Sequence, residues 1–141
     1  MNKQNIPKLC SLILIVCLLI PSAFAAQGGD DAELPMYTGL SSFSASLSIS
    51  SGGSASCYSG AAASNSTYSV VLTMRLQQST DRLNWITMKT WTSSGAIMPS
   101  LSKSYQVVSG YYYRLYCTAK VYNSSGTLLG TNTKYSSVES Y

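Results

Sequence analysis

The chain has 141 residues, nine basic against five acidic, four cysteines and no histidine. The missing histidine removes the usual general base, the commonest metal ligand and every Ser-His or Cys-His dyad. A net charge of +4 is mild, and it does not make the clustered basic surface of a nucleic-acid-binding domain.

Residues 1 to 25 read as an export signal. Lys3 and Lys8 flank the start, Leu9 to Ile20 is apolar, Pro21 breaks the run, and Ala23-Phe24-Ala25 fits cleavage after Ala25. The apolar run is too short for a comfortable membrane span of about 20 residues. A secreted product with no stable membrane span after cleavage is therefore expected. Cys10 and Cys17 leave with the signal, and seven basic residues remain against five acidic ones. What remains suits one domain with a real core. Residues 26 to 40 are expected to be a flexible linker, because Gly28-Gly29-Asp30-Asp31 is polar and Pro35 opposes regular structure. Asp30, Asp31 and Glu33 lack the spaced oxygen ligands and turn glycine of a calcium loop, so neither metal nor cofactor is expected.

Residues 41 to 141 alternate apolar and polar side chains with period two, the mark of half-buried strands. Phe43, Ala45, Leu47 and Ile49 share one face of a first strand, and Ser51-Gly52-Gly53-Ser54 turns it. Ala55 and Cys57 face inward on a second strand, which Gly60 to Asn65 ends as a small-residue loop. Val70, Leu72, Met74 and Leu76 face in on a third, with Val71, Thr73, Arg75 and Gln77 outward. Ser79 to Arg82 reverses the chain into a fourth strand from Leu83 to Trp91, and Ser93-Ser94-Gly95 and Pro99 punctuate the next connection. A weaker fifth strand follows over Leu101 to Val108. The sixth is the clearest: Tyr111, Tyr113, Leu115, Cys117, Ala119 and Val121 oppose Tyr112, Arg114, Tyr116, Thr118, Lys120 and Tyr122. A final strand lies between Leu128 and Tyr141. Seven strands, turn signals about every ten residues and no helical period predict an all-β sandwich.

Cys57 and Cys117 fall on inward positions of the second and sixth strands. A cysteine pair in a secreted chain is expected to be oxidised, while two buried thiols or pairing within one sheet remain alternatives. Three stretches carry a likeness: Leu72 to Ser79, Trp85 to Trp91, and Ser109 to Tyr122. With the cysteine pair and the strand rhythm, the chain resembles Ig-like or fibronectin type III-like sandwiches. More narrowly it resembles small secreted β-sandwich proteins of Gram-positive bacteria, a family without an assigned function. That resemblance implies a Cys57–Cys117 bridge between opposite sheets. One departure stands out, since true Ig domains carry their core tryptophan on the third strand, where this chain has Leu72 and Met74.

An enzyme is not expected. Beyond the linker the acidic residues are only Asp81 and Glu139, a poor source for the paired carboxylates of a glycosidase, and no glycine-rich phosphate loop is present. What remains is surface. Tyr112, Arg114, Tyr116, Lys120 and Tyr122 share the outward face of the sixth strand, and tyrosine and arginine are enriched in interfaces. They read as a contact strip for a cell-surface or extracellular protein or glycan, or as cross-strand packing of an exposed sheet. Trp85 and Trp91 share parity, opposite to Ile86 and Met88, so either both tryptophans face out or a bulge intervenes. Exposed, they would be platforms for sugar rings. Low charge and long strands also allow self-association through an uncovered edge.

Overall fold

Alternation lets a strand bury one row of side chains and hydrate the other, and this chain does so through most of its length. The computed structural model describes residues 36–141; the expected export signal and most of the expected linker lie outside the described residues. The strands are β1 (Leu40–Ile49), β2 (Ser54–Ala63), β3 (Ser69–Ser79), β4 (Ile86–Ala96), β5 (Ser100–Gln106), β6 (Tyr112–Tyr122), β7 (Leu128–Tyr135) and β8 (Glu139–Ser140). All pairings are antiparallel, in two sheets. One has the order β1-β2-β5; the other runs β4-β3-β6-β7, with β8 also on β6. The fold is an all-β sandwich. Ig constant domains keep the fourth strand with the first, second and fifth, whereas here β4 flanks β3 in the other sheet.

The expected final strand is two strands in line. β7 pairs with Tyr116–Tyr122 of β6, and β8 continues along Tyr112 and Tyr113. Ser136 makes the break, accepting from the Leu115 amide through its hydroxyl at 2.8 Å and donating its own amide to the Leu115 carbonyl. β2 runs on through Gly60 to Ala63, because those small residues pair with β1 rather than looping out. β4 starts later than expected. Its Ser93-Ser94-Gly95 stretch stays in the strand instead of forming a connection, with Ser93 and Ala96 paired to β3 on either side of a register shift.

The core comes from the rows that alternation singles out. Phe43 and Leu47 of β1, Ala55 and Cys57 of β2, Val70 to Leu76 of β3 and Tyr113 to Val121 of β6 meet between the sheets, each at its inward positions. Tyr113 closes one end: its hydroxyl donates to the Val108 carbonyl at 2.7 Å and accepts from the Val108 amide. Burial pushes that phenol above its ordinary pKa.

The last residues of the expected linker belong to the fold. Asn132, buried on β7, accepts from the Thr38 amide at 2.7 Å and donates to the Thr38 carbonyl at 2.9 Å. Tyr37 sets its ring edge-on to Phe43, 5.5 Å between centroids, and Leu40 is already core. A buried amide side chain demands partners, and the Thr38 backbone supplies two of them, with the Ala119 carbonyl at 3.4 Å.

Cys57 and Cys117 lie on inward positions of β2 and β6, as read from the sequence, and in opposite sheets, as the resemblance implies. They are buried free thiols, so the expected bridge is not formed here. The Cys57 thiol is directed instead to the Ala55 carbonyl of its own strand, at 3.9 Å. Burial, and then the neighbouring Cys117, push its pKa up to about 11.

Gly53 fixes the β1–β2 turn against β5. Its φ is +78°, and a Cβ there would come within 2.8 Å of the Val107 carbonyl oxygen. The Gly53 carbonyl also accepts from the Val107 amide. Gly53→Ala is therefore expected to cost more than about 1 kcal/mol, read as a fall in thermal midpoint. At Gly126, where φ is also positive but nothing lies within 4 Å, alanine should cost only the backbone strain, and hence less.

Candidate functional site

The outer face of the five-stranded sheet gathers most of the aromatic and cationic residues singled out in the sequence. Register creates rows across it. Arg75 of β3, Tyr116 of β6 and Tyr135 of β7 stand side by side, and one row along Gln77 stands beside Arg114. Tyr116 and Tyr135 stack at 5.2 Å with 26° between planes, and the Arg75 guanidinium lies over Tyr116 at 5.4 Å. Arg114 lies over Tyr135 at 4.5 Å and over Trp85 at 4.1 Å, while its Nε donates to Gln77 Oε1 at 2.9 Å. The result is one continuous ladder, Arg75–Tyr116–Tyr135–Arg114–Trp85.

Trp85 reaches the ladder because of the loop between β3 and β4. The Asp81 carboxylate accepts from the Ser79 hydroxyl, the Leu83 and Asn84 amides and the Asn84 side chain, all within 2.9 Å. Arg82 takes a left-handed φ of 62°, a strained choice for a long side chain. Its carbonyl accepts from Trp85 Nε1 at 3.1 Å, and its guanidinium lies over Tyr112 at 4.1 Å. The donors around Asp81, the Asn84 amide foremost, hold its carboxyl well below the usual carboxylate range. Asp81 is thus a fixed anion that shapes a loop, unsuited to exchanging protons near neutrality.

The two tryptophans part company. Between Leu76↔Lys89 and Gln77↔Thr87 one residue of β4, Met88, is left without a partner. This bulge reverses the strand's parity. Trp91, opposite Met74, turns inward and packs edge-on to Tyr105 of β5 at 6.4 Å, whereas Trp85 turns outward. Trp91 therefore leaves the candidate surface. Lys120 and Tyr122 keep the outward parity of β6 but sit at its far end, opposite Val71 and Ser69, apart from the ladder.

Arg75, Arg82 and Tyr135 join the site beyond the residues singled out in the sequence. Outward parity on β3 marks Arg75. Arg82 and Tyr135 depend on loop geometry and on the β6–β7 register, which local pattern does not carry.

The stacking decides what the face can do. Tyr116 has Arg75 on its β3 side and Tyr135 on its β7 side, and Arg114 is held between Trp85 and Tyr135. Ring faces closed in this way are poor platforms for sugar rings. Side chains stand roughly perpendicular to a sheet, so what they turn to solvent is guanidinium edges and phenol hydroxyls. Those are donors in fixed positions, suited to carboxylate or phosphate oxygens. Among the described residues no group of three His, Cys, Asp or Glu side chains is placed to hold a metal. The chain matches no protein-family model and no curated protein sequence.

Proposed function

We propose that this chain is a secreted, non-catalytic binding module whose five-stranded face holds an acidic extracellular polymer, a cell-surface or matrix glycan bearing carboxylate or phosphate groups. The carrying observation is that Arg75, Arg82 and Arg114 all lie over aromatic rings of one sheet face. The carboxylate nearest them in the chain, Asp81, is engaged by its own loop. Guanidiniums held by rings lose little side-chain freedom when an anion arrives. The chemistry also argues against catalysis, since the described residues offer two acidic side chains, the loop-bound Asp81 and Glu139.

Protein recovered from the medium should bind polygalacturonate immobilised on beads and ignore neutral dextran. Binding should weaken with salt as the pairs are screened. Arg75→Gln/Arg114→Gln is expected to lower affinity at least about 10-fold, or 1.4 kcal/mol. Lys103→Gln, on the three-stranded sheet, should leave it unchanged. Equal retention of neutral and acidic polymers, or full binding by the folded double variant, would sink the proposal.

Self-assembly is the second reading, and one observation favours it. β4 ends its sheet with Ile86 70% and Met88 41% exposed, and Leu83 just before it is 82% exposed. Uncovered apolar edges pair with other chains. The bulge at Met88, the second register shift near Ser93 and the charge of Lys89 all oppose that pairing, which leaves the acidic-polymer reading ahead. Sedimentation decides: a monomer that binds polymer supports the first reading, and concentration-dependent oligomers that do not bind support the second.

Oxidation of the two cysteines belongs to the same proposal. An exported protein meets oxidising conditions, and Cys57 and Cys117 are both buried in the core, on opposite sheets. Two thiols would give up two protons and two electrons to an exchanging disulfide and form one S–S bond between the sheets.

A further inference from the structure

Ile86 pairs with Gln78, one residue from the outward Gln77↔Thr87 pair, so it points toward the inner side of its sheet. It is nevertheless 70% exposed. The three-stranded sheet does not extend under this end of β4. A cavity of about 260 Å³ opens there, walled by Gln78, Ser79, Thr80, Asn84, Ile86 and Tyr111. A second, of about 300 Å³, shares Thr80 and Tyr111 with it and continues to Tyr112. The two form one cleft at the end of the sandwich.

Its walls sort into spent and available groups. The Ser79 hydroxyl donates to Asp81 and accepts from the Asp81 and Arg82 amides. Asn84 gives one of its two amide hydrogens to Asp81. That leaves the Gln78 amide, the Thr80 and Tyr111 hydroxyls, and the Asn84 carbonyl oxygen and second amide hydrogen as the polar groups of the wall. Beside them lie the aliphatic Ile86 and the Tyr111 ring. Tyr111 is braced edge-on against Tyr113 at 6.5 Å, so its place is set by the core. The residues walling the first cavity include no Asp, Glu, Lys or Arg.

From this arrangement we infer that the cleft is a binding site for a neutral saccharide of one or two rings. Uncharged donors and acceptors on one wall match sugar hydroxyls, and an aromatic and an aliphatic side chain match the C–H face of a pyranose. At about 260 and 300 Å³ the two cavities each lie near the small end of ligand sites, in the range of a sugar ring or two. An anion would find no charge in the first cavity. This site is separate from the arginine ladder and does not rest on the acidic-polymer reading, although Tyr112 borders both.

The test is a titration of the ¹⁵N-labelled protein, followed by amide NMR, with maltose, cellobiose, lactose and diacetylchitobiose. At least one should shift amides confined to residues 78–86 and 109–112, saturating in the millimolar range. Gln78→Ala/Thr80→Ala should weaken that binding at least fivefold, with the rest of the spectrum retained. Arg75→Gln/Arg114→Gln should leave it unchanged, which separates this site from the polymer face. Absence of localised shifts with all four sugars would overturn the inference, as would undiminished binding by the folded Gln78→Ala/Thr80→Ala variant.

Discussion

Leu72→Ala is expected to remove about 3 to 4 kcal/mol of stability. Leu72 is fully buried at the middle of β3, between Ser93 of β4 and Ala119 of β6 in the register, and the inward residues of the opposite sheet pack over it. Truncation loses the transfer free energy of the deleted atoms and leaves a cavity that two hydrogen-bonded sheets cannot collapse. Against a total of about 5 to 15 kcal/mol for a domain of this kind, the thermal midpoint should fall by roughly 15 °C. Leu83→Ala is the control. Leu83 is 82% exposed on the Asp81 loop, so the same chemical change there should stay within about 0.5 kcal/mol. Equal midpoints for the two variants would mean that the sandwich core is not where these strands put it.

That contrast also marks how far the sequence can be read. Leu72 and Leu83 are the same residue type, and alternation with Val70, Met74 and Leu76 assigns the first to the core. The same rule places Tyr112, Arg114 and Tyr116 together on one outward face, because side-chain direction along a regular strand is set locally. Pairing is not local. That β4 joins β3 rather than the sheet of β1, β2 and β5 depends on contacts no single segment encodes. A bulge is equally silent: the extra residue Met88 leaves composition unchanged yet sends Trp85 and Trp91 to opposite sides of the sheet. The docking of Thr38 depends on Asn132, 94 residues away. The Arg82–Tyr112 contact depends on a left-handed arginine in a loop. In each case the missing information is a partner distant in sequence or a backbone irregularity.

The second large effect concerns Cys57 and Cys117. Oxidation to a bridge should raise stability by about 4 kcal/mol, because it closes a loop of about 60 residues in the unfolded chain. Protein carrying the bridge should be two hydrogens lighter than the reduced form and more resistant to urea. The reduced form has a further signature. Cys57 has its folded pKa raised from 9.0 to about 11, by burial and then by Cys117, and burial raises Cys117 as well, partly opposed by the Ser59 hydroxyl. A raised pKa means that the folded state holds its proton more tightly than the unfolded state does. That contribution is fully present below pH 9 and is lost as pH rises through about 11. Tyr113, also raised by burial, adds a loss of the same sign at high pH. Cys57→Ala/Cys117→Ala isolates the thiols, since it keeps the tyrosine. Urea midpoints of the reduced protein should therefore fall more steeply from pH 9 upward than those of the double variant. The oxidised protein, with no thiol to titrate, should follow the shallower course. Matching slopes for reduced protein and double variant would show that the thiols are not buried together in the core, and the bridge would lose its basis.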